Sequence, residues 1–338
     1  MSQNDMTIDN STGANVRADI NSALQAIATN NSGSSAPSTN FASQYFANTT
    51  TSIMQLRNTA NNAHINLFTL AGGPAFAAGG TIESLNIGKG TNSVAGNTVL
   101  GESALDASVS GGNNTAIGHS SLTANTSGTN NVVVGAGAAI SNTTGSNNVA
   151  IGKDTFDANT TGSSNVAIGT GALGVATTAD NNVAVGVFAM DANTTGNSNT
   201  GIGRGALGAN TTAAVDNTAV GKDALLTTTT GHENTAVGVS ALKLTTTGRS
   251  NVAMGRETMQ NNTEGGFNTA LGYEALKANT TASNNTAVGK AALVSNTTGA
   301  DNVAVGVGAL DANTTASNNT AVGKDALGAN TTGTQNVA

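Results

Sequence analysis

Apolar residues in the second half of the chain recur every seventeen residues, and their spacing predicts one short strand per repeat. In a typical unit, Val149, Ala150 and Ile151 lie between Asn148 and Gly152. Successive side chains of a strand point to opposite faces, so Val149 and Ile151 share one face and Ala150 lies on the other. A further apolar residue, Phe156 here, follows four residues after the glycine.

The recurring Asn sets the register of the repeat, and we count positions from it as position 0. It occurs at Asn97, Asn114, Asn131, Asn148, Asn165, Asn182, Asn199, Asn217, Asn234, Asn251, Asn268, Asn285, Asn302, Asn319 and Asn336. Thirteen of the fourteen intervals are 17 residues, and one is 18, with the extra residue between 213 and 216. Repeats that stack on their neighbours can bury a continuous core even where composition is poor in large apolar residues. The pattern predicts a mainly β fold, a parallel β-solenoid or β-roll of 17-residue coils over residues 97–338, continuing beyond 338.

Two rows of apolar residues are predicted to fill the coil interior, one at position 3 and one at position 8. The predicted coil core is Ile117, Ile151, Ile168, Val185, Ile202, Val220, Val237, Leu173, Leu207 and Leu225. Because loops absorb insertions more easily than paired strands, the extra residue before Asn217 should leave the stack of Ile202, Val220 and Val237 intact.

Position 2 is small and apolar in every repeat, and we expect it to face away from the coil interior. A row without polar residues favours close packing against other chains at a symmetry axis; the alternative is an exposed strand that tolerates Ala. The predicted trimer-axis residues are Ala116, Ala150, Ala167, Ala184, Ala219, Ala236, Ala253, Ala270, Ala287, Ala304 and Ala321.

Turn residues separate the strands. Gly152 and Gly162 are expected at corners, because glycine adopts conformations that other residues avoid. The Asn159-Thr160-Thr161 triplet suits a turn, and stacked Asn residues can form an amide ladder between coils. The same triplet fits the N-glycosylation pattern, but turn residues are the simpler interpretation.

Residues 1–96 do not follow the 17-residue repeat. Val16, Ile20, Leu24 and Ile27 follow the spacing of one helical face, which predicts a helix-containing anchor over residues 1–36. Residues 37–75 are predicted to form a small module with a β-hairpin, its strands at 52–57 and 64–70, and residues 76–96 a linker. The anchor region as a whole is expected to be small and α+β.

Composition excludes several classes of function. Charged residues make up 9% of the chain, the net charge is −7 and no run of Lys or Arg occurs, which argues against a nucleic-acid partner. The chain has no Cys, no apolar run of membrane-spanning length and no signal peptide at its start. We therefore expect no cofactor, no metal site and no membrane partner.

The strand Asn148–Gly152 and its relatives through Asn319–Gly323 resemble the head repeats of trimeric autotransporter adhesins. The form at Asn285–Gly299 is similar to repeats of bacteriophage tail fibres and tailspikes. Met6-Thr7-Ile8-Asp9-Asn10, Val16-Arg17-Ala18-Asp19-Ile20-Asn21 and Ala36-Pro37-Ser38-Thr39 resemble the starts of phage tail-fibre proteins. This resemblance implies a homotrimeric rod whose N-terminus attaches to the virion.

The favoured function is a structural tail-fibre protein of the virion, assembled in the host cytoplasm. Its implied partners are its own copies, a tail or baseplate protein that binds residues 1–75, and a host-surface receptor bound beyond Ala338. The alternatives are the head of a bacterial trimeric surface adhesin and a glycan-cleaving tailspike. Such an enzyme needs two carboxylates held close together, whereas Asp154, Asp157 and Asp191 recur at repeat-equivalent places without a unique partner, so we expect no enzyme. Ice binding is disfavoured, because adjacent Thr residues of a strand would point to opposite faces.

Overall fold

The computed structural model describes the backbone of residues 45–48, 53–57, 64–69, 80–82, 85–90, 93–107, 110–209 and 214–338. The chain divides into two compact units, Met1–Ile82 and Glu83–Ala338. Strands and turns make up these described residues, and they contain no helix.

The first unit contains a three-stranded antiparallel sheet in the order β1-β2-β3. Its strands are β1 (Tyr45–Asn48), β2 (Ile53–Arg57) and β3 (His64–Thr69), and a fourth strand, β4 (Gly80–Ile82), follows them in the chain. Strands β2 and β3 pair from Arg57 with His64 to Ile53 with Thr69, which is the pairing of the predicted hairpin. The sequence pattern did not predict β1. The predicted helix of residues 1–36 lies outside the described residues.

The second unit is a parallel β-solenoid, and the predicted fold class is confirmed. Its first strand, β5 (Leu85–Gly88), lies in the predicted linker and pairs antiparallel with β6 (Thr98–Gly101). From β6 onward each coil contributes one strand that pairs in parallel with the next. These strands are β6 (Thr98–Gly101), β7 (Thr115–Ile117), β8 (Val132–Val134), β9 (Val149–Ile151), β10 (Val166–Ile168), β11 (Val183–Val185), β12 (Thr200–Ile202), β13 (Thr218–Val220), β14 (Thr235–Val237), β15 (Val252–Met254), β16 (Thr269–Leu271), β17 (Thr286–Val288), β18 (Val303–Val305) and β19 (Thr320–Val322).

Register is constant along the solenoid. Each residue pairs with the repeat-equivalent residue of the next coil, as Ala167 does with Ala184. The interval of 18 residues does not disturb this register, because Ile202 pairs with Val220 and Val220 with Val237. The expectation that the extra residue leaves the stack intact is therefore confirmed.

Alanine at position 2 fills the coil interior, which corrects the predicted trimer-axis row. Its side chains are fully buried within a single chain, so they cannot meet another chain. The affected residues are Ala116, Ala150, Ala167, Ala184, Ala219, Ala236, Ala253, Ala270, Ala287, Ala304 and Ala321.

Position 3 faces outward, so this part of the predicted coil core is wrong. Ile151 and Ile202 are 38% and 40% exposed, and the other members are partly exposed. The corrected residues are Ile117, Ile151, Ile168, Val185, Ile202, Val220 and Val237. Position 8 lies inside as expected, and Leu173, Leu207 and Leu225 are fully buried.

The size of the leucine side chains explains why the strand faces are reversed from the prediction. The interior of a typical coil holds the position 8 leucine, the position 2 alanine and another small residue at position 7, such as Ala172 beside Leu173. A Val or Ile in place of the position 2 alanine would add volume to an already close-packed interior. Small residues therefore lie inside because the coil is narrow.

Two ladders of buried Asn stabilise the coils, as the sequence suggested. At position 0, the Asn148 backbone N–H donates to Oδ1 of Asn131 at 3.0 Å, and Nδ2 of Asn148 donates to the Gly162 carbonyl at 2.9 Å. At position 11, Nδ2 of Asn159 donates to Oδ1 of Asn142 at 2.6 Å. Buried amides stabilise a fold only when their hydrogen bonds are made, and these are.

Glycine at position 4 is required by the close approach of neighbouring coils. The φ of Gly169 is 124°, and a Cβ there would lie 2.7 Å from the backbone of Gly186 in the next coil. Leucine at position 8 also adopts a left-handed conformation, with a φ of 52° at Leu173. Such a conformation costs about 1–2 kcal/mol for a residue other than glycine, and burial of the leucine side chain offsets it.

Candidate interaction surface

The outward side chains of β6–β19 form one continuous strip, which we call the outer sheet face, and its position 3 row is apolar in every coil. Position 1 carries Thr or Val and position 3 carries mainly Ile or Val. Its members are exposed because the strand alternates and position 2 points inward. Among them, Val132 is 39% exposed and Leu271 is 47% exposed. A contiguous exposed apolar strip of this length is typical of an interaction surface.

Two rows of different charge flank the outer sheet face. The residue before each recurring Asn forms the leading edge, which carries the exposed acids Asp216, Glu233 and Asp301 and no Lys or Arg. Position 5, directly after the corner glycine, forms the trailing edge. Its basic residues are Lys153, Arg204, Lys222, Arg256, Lys290 and Lys324. The two edges are therefore chemically distinct.

Four of the trailing-edge cations pair with the acid that follows them in the chain. Lys153 Nζ lies 2.7 Å from the Asp154 carboxylate, and this hydrogen bond raises the pKa of Lys153. Lys222 Nζ lies 3.6 Å from Asp223, whose side chain is less exposed than that of Lys222. Exposed pairs of this kind contribute little to stability.

Large side chains that depart from the repeat concentrate in two neighbouring coils, and we call them the aromatic patch. Its members are Arg249, Met254, Arg256, Phe267, Leu271 and Tyr273. The guanidinium of Arg249 lies 5.3 Å from the ring centre of Phe267, on the leading side. That of Arg256 lies 5.8 Å from the ring centre of Tyr273, on the trailing edge. Both distances suit cation–π contact.

An ion-pair cluster holds Arg256 beside Tyr273. Arg256 donates to the Glu257 carboxylate at 2.7 Å, and Lys277 donates to Glu257 at 2.8 Å and to Glu274 at 2.6 Å. The hydrogen bond from Lys277 lowers the pKa of Glu257, and the pKa of Lys277 is raised in turn. These contacts limit the freedom of Arg256 and leave its ring contact in place.

A shallow cleft of about 340 Å³ lies where two glycines, Gly205 and Gly208, occupy positions that carry side chains in other coils. Phe188 and Leu226 form apolar walls, and the Asp191 carboxylate lies beside them. Burial raises the pKa of Asp191. Burial likewise raises the pKa of Asp157, the equivalent residue two coils earlier in the chain.

Within the part of the chain that the structure describes, no three His, Asp or Glu side chains come together as a metal site would need. His119 is exposed and His232 is partly exposed, and His232 Nδ1 lies 3.4 Å from the Thr230 carbonyl oxygen. The Thr pairs lie in turns and not in strands: Thr160 Oγ1 donates to the Thr177 carbonyl at 3.0 Å while Thr161 is exposed. The strand argument against ice binding therefore does not apply to these Thr residues.

Sequence reasoning found the outward and inward rows but assigned them to the wrong faces. The aromatic patch was missed, although Phe267 and Tyr273 were visible as departures from the repeat in rows that otherwise carry polar or small residues.

Comparison with known proteins gives no match: neither a family model, a curated protein nor a solved structure is similar to this chain. Among the described residues, none lies in a helix that is long and apolar enough to span a membrane.

Proposed function

We propose that this chain is a structural fibre protein of a bacteriophage virion, and that its solenoid forms a homotrimeric rod. The observation that supports this proposal best is the outer sheet face, whose apolar row at position 3 runs without interruption from β6 to β19. Burial of such a strip between copies would remove apolar surface from water at about 25 cal/mol per Å². The resemblance of the N-terminal segment to tail-fibre starts supports the virion assignment.

In this proposal the copies meet through positions 1 and 3 and not through the alanine row. Residues 1–75 bind a tail or baseplate protein, and the solenoid extends away from the particle. The rod projects toward a receptor on the host surface.

Charge placed on the outer sheet face tests the association. Val237 is outward and partly exposed, so Val237→Glu should leave the coil intact. In the assembly it would place an unpaired charge among apolar side chains, which costs about 3–5 kcal/mol. We expect a folded monomer by sedimentation and circular dichroism where the unaltered chain gives a trimer.

Thr247→Glu is the matched control. Thr247 is exposed in a turn row where another coil already carries Glu264. This variant should assemble as the unaltered chain does. A Val237→Glu variant that assembles equally well would contradict association through the outer sheet face.

Attachment is tested separately. A chain that lacks residues 1–75 should give a soluble rod that is absent from particles purified from infected cells, while the full chain is incorporated. Equal incorporation of the two chains would contradict the role assigned to residues 1–75.

A further inference from the structure

When copies of a repetitive rod associate side by side, the repeat alone does not determine their relative axial position. Positions 1 and 3 of the outer sheet face carry nearly the same residues in every coil. A copy displaced by one coil, about 4.8 Å, would meet almost the same surface. Weakly specified strand registers are prone to slippage for the same reason. A unique assembly therefore needs a contact that does not repeat.

We infer that the aromatic patch is the anchoring contact between copies of this chain, and that it fixes their axial register in a parallel arrangement. This inference rests on the proposed self-association. The partner is a second copy, because the patch combines groups from both edges of the outer sheet face that complement each other.

The patch has the chemistry of an interface centre. Phe267 is 53% exposed, Leu271 47%, Met254 42% and Tyr273 39%, so these large side chains lie at the surface of the chain. Aromatic residues, Met and Arg are enriched where interfaces are buried. The two cation–π contacts and the ion pairs of Arg256 hold the rings in place before any partner binds. Such prior ordering reduces the entropy lost on association.

The two edges favour a parallel arrangement. When copies are related by an axis along the rod, the trailing edge of one copy meets the leading edge of the next. An antiparallel pair would instead bring each edge against itself, and the cations of the trailing edge would face each other. Complementary charge across an interface favours the correct partner orientation.

Copies in the same axial register bring the two rings of the aromatic patch together. Tyr273 and Phe267 flank the same coil, so the Tyr273 ring of one copy meets the Phe267 ring of the next. Lys222 then lies at the level of Asp216, whereas Glu233 and Asp301 lie one coil from Lys222 and Lys290. The charged edges therefore set the parallel orientation but not the axial register, which depends on the two rings. A shift by one coil separates the two rings by about 4.8 Å along the axis.

Disulfides between introduced cysteines measure the axial register directly, because the chain has no native Cys. Asn130 on the leading edge and Ala136 on the trailing edge flank one coil and are exposed. The pair Asn130→Cys with Ala136→Cys reports copies in register. The pair Asn147→Cys with Ala136→Cys reports copies shifted by one coil. Within one chain the two edges lie at opposite ends of the strand, six residues apart in sequence, which is too far for a disulfide.

The test compares the full chain with a variant that restores the repeat consensus. That variant is Met254→Val, Leu271→Val, Phe267→Ser and Tyr273→Lys, and each new residue occupies the same position in other coils. In the otherwise unaltered full chain, the in-register pair should form at least about ten times more linked dimer than the shifted pair. In the consensus variant the two yields should become similar, or association should be lost.

A consensus variant that keeps the original ratio overturns the role of the patch, as does an unaltered chain in which both pairs link equally. Sedimentation of both proteins separates this result from a failure of the proposed function. If the unaltered chain is monomeric and neither pair links, self-association itself is wrong.

Discussion

At the scale of single residues, the solenoid depends on buried amides. Asn234 accepts a hydrogen bond from the Asn251 backbone N–H through Oδ1 at 3.1 Å, and it donates one to the Gly248 carbonyl through Nδ2 at 2.9 Å. The ladder at position 0 has an Asn in every coil, whereas position 11 carries Ser108, Ala176, Thr228 and Thr245 in place of Asn. The Oγ1 atoms of Thr228 and Thr245 are buried without a hydrogen-bond partner. The two ladders are therefore expected to differ in their importance for stability.

The first prediction compares the two ladders. Asn234→Ala leaves a buried N–H and a buried carbonyl without partners, so it should lower the free energy of unfolding by about 2–5 kcal/mol. Asn262→Ala in the other ladder, where Ala176 already occurs, should cost less. Urea denaturation of the two variants measures the difference, and an equal or larger loss for Asn262→Ala would contradict this account.

The second prediction concerns pH and Asp191. Burial raises the pKa of this carboxyl above its ordinary value of 3.8, so the folded state binds its proton more tightly than the unfolded state does. The free energy of unfolding should therefore rise as the pH falls from the raised folded pKa toward that value. Asp191→Asn should raise the melting temperature slightly at pH 7 and have no such effect near pH 3. Glu264→Gln, at an exposed turn site away from the outer sheet face, is the control, and an equal shift for both variants at pH 7 would refute the role of burial.

At the scale of the strand, most of the fold could be predicted from the sequence, but the direction of each face could not. The 17-residue period and the alternation of Val149, Ala150 and Ile151 give one strand per coil. The period and the alternation do not say which face of the strand lies inside, because that depends on which other side chains fill the coil interior. The position 8 leucine, held by a left-handed backbone, and the small residue at position 7 fill the interior, and no local pattern shows that they share it with alanine.

The aromatic patch shows a related limit. Phe267 and Tyr273 are far from Arg249 and Arg256 in sequence, and their contacts follow only from coils that stack in register. Sequence shows that these residues depart from the repeat. Their arrangement on both sides of one strip requires the fold.

The third prediction uses the register of a strand. Deletion of Thr235 from β14 would move Ala236 outward and a larger residue inward, since a shift by one residue exchanges the two faces. We expect this chain to lose its cooperative unfolding transition. Deletion of one residue at 212 restores the common 17-residue interval and should change the free energy of unfolding by about 0.5 kcal/mol or less. Similar losses in both deletions would contradict the alternation described for β14.

At the scale of the whole molecule, the solenoid behaves as a stack in which each coil contacts its neighbours. The thirteen parallel pairings from β6 to β19 give a length of roughly 60–65 Å at the strand spacing. Stability in such a stack is approximately a sum over coils and their interfaces. A long apolar strip along one side of the rod is then the feature that a single chain leaves uncovered.

The most direct measurement of the central claim is an electron cryomicroscopy reconstruction of the full chain, with its mass taken from sedimentation. We predict an assembly with three times the 32.9 kDa mass of one chain, in which the solenoids are parallel and their positions 1 and 3 face a common axis. Phe267 of one copy should lie beside Tyr273 of the next. A monomer, or an assembly in which the outer sheet faces point to solvent, would contradict it.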